Sequence, residues 1–236
     1  MMERPASQDQ RDGLGEISPS SRQTGQGIKP PWFLDWSGEV CAIVASGPST
    51  KRVNVAALRG KLRVIAIKEN VELCPWADVV YGCDAAWWRN GNGFPKYAGL
   101  KVCATGRLTS RFPDIRVIGI SDPSSDKLVL AEKGKVGSGG NSGFQALNMA
   151  VQFGARRILL IGYDMNDHYG VHWYGRAQGN GRSNPAEWNF RRWRQAFATA
   201  AVQLQQAGVE VLNASEFSVL TCFPKVTLDE ALAKWA

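Results

Sequence analysis

Val40-Cys-Ala-Ile-Val-Ala45 is an apolar run that ends directly at the turn Ser46-Gly47-Pro48-Ser49. A short apolar segment that stops at such a turn is typical of a buried β-strand. Glycine lets the backbone approach a ligand closely, and proline stiffens the turn. The turn is therefore a candidate ligand-binding loop, although an ordinary strand-to-helix connection would explain the same residues.

Similar apolar runs follow along the chain and predict six more strands. They are Leu62–Ile67, Asp78–Tyr81, Lys101–Ala104, Arg116–Ile120, Arg157–Ile161 and Val209–Leu212. Asn141 or Ser142 is expected to cap a helix that runs to Phe153, and Asn184-Pro185-Ala-Glu187 to open a second helix that ends at Gly208. Strands that alternate with helices predict an α/β fold, a single Rossmann-like domain with a mainly parallel sheet and helices on both faces.

Composition sets the limits of this domain. The chain has 236 residues, of which 44% are hydrophobic, enough for one substantial core. Residues 1–30 contain almost no large apolar side chain and predict a disordered leader, so residues 31–236 form the predicted nucleotide-binding domain. The formal charge of +7 suits phosphate-bearing partners.

The expected location is the cytoplasm. No apolar run is long enough to span a bilayer, and residues 1–30 carry no secretory signal. The five cysteines include no C-x-x-C pair, which is typical of reduced thiols rather than a zinc site.

Two further motifs stand where a parallel sheet binds ligands, beyond the carboxyl ends of its strands. The segment Lys133–Gly143 has five glycines and leads into a helix, so its amides and lysines could bind an anion. A flexible loop is the alternative interpretation. Ile161-Gly-Tyr-Asp164 places an acid at the end of a strand.

The two histidines of the chain, His168 and His172, follow this acid. Gly170 lies between them and favours a loop, so the sequence predicts no metal site. A histidine in a loop at the sheet edge is a candidate general base, because its pKa lies near neutrality. His172 is the preferred candidate, and a purely structural histidine is the alternative.

Basic residues cluster after these histidines. They are Arg176, Arg182, Arg191, Arg192 and Arg194. A solvated helix face explains them most simply, and a phosphate-binding patch is the functional alternative.

Taken in order, the motifs resemble those of the bacterial sialyltransferases that use CMP-sialic acid, and of the related MptE-like Rossmann proteins, which include many phage and prophage proteins. The resemblance covers roughly residues 38–225. It implies that Gly47, Pro48, Ser49 and Asn70 hold the nucleotide, that Ser142 and Gly143 contact the nucleotide-sugar, and that His172 is the general base. Ser46, which stands where the family has asparagine, and Asp164 complete the predicted pocket. The family has a tyrosine that steadies the leaving phosphate, and it is missing here, where Asn166 stands near its place. Tyr163, Tyr169 or Tyr174 could substitute for it.

Three functions follow from this sequence. The first is a glycosyltransferase-like enzyme with a nucleotide-sugar donor and an unknown acceptor, and with no resident cofactor. The second is an MptE-like pterin pyrophosphokinase that uses ATP and Mg²⁺ through Asp84, Asp164 and Asp167. The third is a non-catalytic module that binds nucleotide or nucleic acid through the arginine-rich helix.

Overall fold

A computed structural model describes residues 29–178 and 184–235 of the chain. Its strands are β1 (Val40–Val44), β2 (Arg63–Ile67), β3 (Val79–Gly82), β4 (Leu100–Cys103), β5 (Ile115–Val117), β6 (Gly119–Ile120), β7 (Lys135–Val136), β8 (Arg157–Ile161) and β9 (Glu210–Asn213). Its α-helices are α1 (Ala85–Asn90), α2 (Ser142–Phe153), α3 (Glu187–Gln206) and α4 (Leu228–Trp235). Short 3-10 helices at Pro48–Arg52, Val55–Leu58, Lys68–Val71 and Gly106–Leu108 occupy several connections.

Seven strands form one parallel sheet in the order β5-β4-β3-β2-β1-β8-β9. Strand β1 lies inside the sheet, where it pairs in parallel with β2 on one side and β8 on the other. Strands β2 to β5 thus extend the sheet on one side of β1, and β8 and β9 extend it on the other side. This arrangement confirms the predicted Rossmann-like α/β fold and creates a topological switch point beside β1.

Alternate residues of β1 enter two separate cores, because successive side chains of a strand point to opposite faces. Cys41 and Ile43 pack on the face covered by α2 and α3, together with Phe144 and Phe197. Val40, Ala42 and Val44 belong to the opposite core, which includes Leu58 and, from α4, Trp235. Both faces of the sheet are therefore covered, as predicted.

The single strand predicted at Arg116–Ile120 is wrong. The main sheet keeps Ile115–Val117, and the chain then leaves it at the fully buried Ile118. Gly119–Ile120 pairs instead with Lys135–Val136 in a separate two-stranded sheet. The apolar run is continuous in sequence, but its pairing partner changes halfway, and only the distant segment at β7 determines that change.

The predicted start of the last long helix is also wrong. Helix α3 begins at Glu187, and Asn189 accepts a hydrogen bond from the Ala186 amide at 2.9 Å. The Asn184 side chain does not cap it, because its amide exchanges two hydrogen bonds with the backbone of Ala177, at 2.8 and 2.9 Å. The cap predicted for α2 is correct, since Asn141 accepts from the Phe144 amide at 2.9 Å and Gly154 ends the helix in a left-handed conformation.

One face of α2 is lined by buried amide side chains rather than apolar ones. Asn148 accepts hydrogen bonds from the amides of Val129 and Gly137, at 2.8 and 2.9 Å. Gln152 donates to the carbonyls of Val129 and Lys135, at 2.7 and 2.6 Å. These bonds fix the segment before α2 to the helix and argue against the flexible-loop interpretation of residues 133–143.

No α-helix within the described ranges is long and apolar enough to cross a membrane.

Candidate functional site

A cavity of about 290 Å³ opens beside β1 at the carboxyl edge of the sheet. The segments that follow β1, β2, β3 and β8 line it, together with the start of α2 and the start of α3. This is the switch point at which Rossmann-like sheets bind their ligands. The predicted residues Ser46, Gly47, Ser142, Gly143, Asp164 and His172 all line it.

The turns after β1 and β8 are locked together at the floor of this cavity. The Gly47 amide donates to the Gly162 carbonyl at 3.0 Å. The Asp164 carboxylate accepts from both the amide and the hydroxyl of Ser49, the amide at 2.9 Å. A Cβ atom at Gly47 would lie 2.5 Å from the Gly162 oxygen, so this close approach requires glycine.

Asp164 is almost fully buried in this arrangement. Burial raises the pKa of its carboxyl group, and the two hydrogen bonds from Ser49 oppose that rise. Asp164 therefore holds the Gly-Pro-Ser turn in addition to forming part of the cavity wall.

Three predicted residues do not line the cavity. Pro48 is not among the lining residues, and Ser49 and Asn70 are fully buried. The Asn70 amide donates to the Ile67 carbonyl at 2.7 Å and accepts from the Trp173 indole at 3.0 Å. In this structure Ser49 and Asn70 support the site through other residues.

The loop that carries His172 is attached to the Gly-Pro-Ser turn through its neighbour Trp173. The Trp173 amide donates to the Ser46 carbonyl at 2.9 Å, and its indole is held by Asn70. Lys51 lies over the indole ring, 5.1 Å from its centroid. Residues from the ends of β1, β2 and β8 thus jointly determine where His172 lies.

The His172 imidazole faces the cavity and stacks on Tyr174, with ring centroids 4.9 Å apart and planes 16° from parallel. Burial lowers the pKa of His172 to about 4, and the positive charge of Lys68 adds to the effect. The imidazole is therefore neutral at physiological pH and can accept a proton.

The sequence analysis missed Lys68 and Cys83, which share the cavity wall with Asp84. The Lys68 ammonium forms an ion pair with Asp84. The Ser142 hydroxyl donates to the Cys83 sulfur at 3.1 Å, and burial raises the pKa of that thiol. Lys68 directly follows β2 and Cys83 directly follows β3. Their position at the carboxyl ends of strands could have identified them as site residues from the sequence.

The candidate tyrosines differ in position. Tyr174 lies in the cavity against His172, whereas the hydroxyl of the fully buried Tyr163 donates to the Gly143 carbonyl at 3.1 Å. Tyr169 is exposed and stacks on Phe217. Tyr163 and Tyr174 thus both line the cavity, and Tyr169 does not. The Asn166 side chain donates to the carbonyls of Asp164 and Phe217.

Two of the five predicted basic residues are bound to acidic side chains. Arg192 binds Asp126 through two nitrogens, each at 2.9 Å. Arg194 binds Glu187 at 2.7 Å and the Met165 carbonyl at 3.0 Å. Arg191 and Arg176 are exposed, and Arg182 lies outside the described residues.

No group of three or more His, Cys, Asp or Glu side chains among residues 29–178 and 184–235 is placed to hold a metal ion.

No protein-family model matches the chain, and no curated protein matches its sequence. The fold is similar to that of the sialyltransferase CstII from Campylobacter jejuni, solved with the substrate analogue cytidine-5'-monophosphate. The TM-score is 0.53 at 12% identity, over 81% of this chain and 86% of that one. A CST-II structure with a trisaccharide acceptor and CMP gives a TM-score of 0.50 at 12% identity, over 80% and 86%. At this identity the likeness establishes a shared fold.

Proposed function

We propose that this protein is a nucleotide-sugar-dependent glycosyltransferase of the sialyltransferase type, with a CMP-linked donor. The observation that carries the proposal is the switch-point cavity, which gathers Gly47, Ser142 and His172 from distant parts of the chain. The shared fold with enzymes that bind CMP supports the choice of donor. The acceptor is a hydroxyl-bearing molecule.

In this proposal His172 takes the proton from the acceptor hydroxyl as that oxygen attacks the anomeric carbon of the donor sugar. The new carbon–oxygen bond forms while the bond from the anomeric carbon to the phosphate oxygen breaks. The phosphate oxygen leaves with the electron pair as part of CMP. Tyr174, which stacks on His172 in the cavity wall, would contact the leaving phosphate in this proposal.

Contacts within the structure make the two alternatives weaker. A pyrophosphokinase needs carboxylates converging on Mg²⁺, but the Asp164 carboxylate accepts two hydrogen bonds from Ser49, and Asp167 is exposed and does not line the cavity. A nucleic-acid surface needs arginines free to reach phosphates, but Arg192 and Arg194 are bound to acidic side chains.

Ligand-induced stabilisation distinguishes these functions. A ligand at a hundredfold its Kd adds about 2.7 kcal/mol to the free energy of unfolding. We expect a rise in melting temperature with CMP or CDP and none with ATP and Mg²⁺. The reverse pattern would favour the kinase, and no shift with any nucleotide would favour the nucleic-acid-binding module.

Substitution of His172 tests the general base. We expect His172→Ala to lower turnover by about 10²–10⁴-fold while CMP affinity stays nearly unchanged. His168→Ala is the matched control, because His168 is exposed and its backbone amide, which the substitution keeps, donates to the Asn166 side chain. A folded His172→Ala protein with full activity would exclude the assignment, and a parallel loss of melting temperature and activity would indicate a structural role.

A further inference from the structure

Lys68 adopts an uncommon backbone conformation for a lysine. It follows β2 directly and has a φ of +51°. Residues other than glycine and asparagine rarely occupy this left-handed region. Met165, after β8, has a φ of +57° and lines the same cavity. Residues held in such conformations cluster at functional sites, where the surrounding structure compensates for the strain.

Lys68 forms part of the cavity wall. The aliphatic part of its side chain passes the end of β3, where a Cβ atom at Gly82 would lie 3.4 Å from the Lys68 Cγ. Its ammonium pairs with Asp84, and the Lys68 side chain is 27% exposed. Within the described ranges, Lys68 is the only lysine or arginine that lines the cavity, whereas Glu69, Asp84 and Asp164 are acidic.

An anionic ligand in this cavity would therefore meet one cation among several acids. The donor's phosphodiester carries one negative charge, and the departing monophosphate gains a second as the glycosidic bond breaks. A cation in a partly desolvated site stabilises that developing charge more than it stabilises the bound donor, which is the requirement for catalysis.

We propose that Lys68 is the phosphate contact of this site: its ammonium turns from Asp84 to the nucleotide phosphate and neutralises the charge on the leaving group. This inference rests on the proposed function, because it places the nucleotide in the switch-point cavity. It makes Lys68 the residue that distinguishes a nucleotide from the corresponding nucleoside, and Asp84 the group that competes for the ammonium.

Calorimetric titration of each nucleoside and its 5'-monophosphate, with cytidine, uridine, adenosine and guanosine, tests this role. In the unmodified protein we expect the preferred monophosphate to bind at least about tenfold more tightly than its nucleoside, as a charged hydrogen bond allows. Lys68→Met should abolish this preference and leave nucleoside affinity unchanged. Asp84→Asn should increase it, because it removes the competing carboxylate.

Two further variants keep the result interpretable. Lys68→Asn removes the charge with a residue that tolerates the left-handed conformation, so it answers the question if Lys68→Met is unstable. Lys61→Met is the charge-matched control, because Lys61 is exposed and does not line the cavity. A monophosphate preference that survives both Lys68 changes would overturn the inference.

The same titrations separate this inference from the proposed function. In one outcome, cytidine and CMP do not bind, whereas AMP binds more tightly than adenosine and changing Lys68 abolishes that preference. This result would support the role of Lys68 and refute a CMP-linked donor. Binding of CMP that does not depend on Lys68 would refute the inference and leave the donor assignment standing. Failure of the unmodified protein to bind any of these ligands would refute both.

Discussion

A single imidazole carries the proposed chemistry, and its protonation determines the pH dependence of the reaction. Burial and the neighbouring Lys68 lower the pKa of His172 to about 4. The base must be neutral to act, so activity should be constant through neutral pH and fall as pH drops through that value. We expect the acid limb of kcat/KM near pH 4. A limb near 6.5, the ordinary histidine value, would contradict the buried position of His172.

The acid limb of kcat should lie at higher pH than the acid limb of kcat/KM. Because kcat reports the enzyme with donor bound, a phosphate that neutralises Lys68 should raise the pKa of His172 and move the limb to higher pH. Lys68→Met should move the kcat/KM limb in the same direction, since it removes the positive charge from the free enzyme. If the acid limbs of kcat and kcat/KM fall at the same pH, and Lys68→Met does not move the kcat/KM limb, His172 and Lys68 are not electrostatically coupled.

Gly47 supports the site by having no side chain. A Cβ atom there would lie 2.5 Å from the Gly162 oxygen and 2.7 Å from the Asp164 carboxylate. We expect Gly47→Ala to lower the free energy of unfolding by about 1–3 kcal/mol, measured by urea denaturation, because the two locked turns must separate. Gly106→Ala is the control, since a Cβ atom there meets nothing within 4 Å. Equal effects of the two changes would contradict the close packing at Gly47.

At the scale of elements, the amide-lined face of α2 sets the shape of the segment that enters the site. Asn148→Ala would leave the half-buried amide of Val129 and the buried amide of Gly137 without their acceptor. Each such loss costs about 1–3 kcal/mol, so we expect a corresponding fall in the free energy of unfolding. Gln205→Ala, an exposed change in α3, should stay within about 0.5 kcal/mol.

Hydrogen exchange gives a second measurement of the same element. In the unmodified protein the amides of Val129, Gly134 and Gly137 donate to side chains of α2, so they should exchange slowly. Asn148→Ala should accelerate exchange at Val129 and Gly137 more than at Gly134, whose acceptor is Gln152. Rapid exchange at all three in the unmodified protein would support a flexible loop instead.

At the scale of the whole molecule, an aromatic cluster attaches the start of the domain to the end of α2. Phe33 and Trp36 are buried and pack on Phe153, with ring centroids 5.0 and 4.9 Å away. We expect a chain that starts at residue 31 to melt within a few degrees of the full chain, because residues 1–30 contain almost no large apolar side chain. A chain that starts at residue 37 should lose about 3–5 kcal/mol for each aromatic removed. A large loss in the first truncation would contradict the prediction for the leader.

Much of the architecture could be predicted from the sequence because it depends on local patterns. Apolar runs such as Arg157–Ile161 identify strands, and the Asn141 cap with Gly154 bounds α2, since these signals act within a few residues. The division of Arg116–Ile120 could not be predicted, because it depends on pairing with Lys135–Val136. Helix α4 was also missed, although Leu228 and Ala231 recur at helical spacing and pack on the sheet.

The sequence alone determined that the candidate site lies beyond the strand ends and includes Gly47, Ser142 and His172, because chain order and turn chemistry place those residues at one edge of a parallel sheet. Only the tertiary structure decided which side chains face the cavity. Asn70 does not line the cavity, and its amide is occupied by Ile67 and Trp173. Lys68 lies in the cavity wall with a left-handed backbone and pairs with Asp84. Such choices depend on contacts between segments far apart in sequence, and no local pattern contains them.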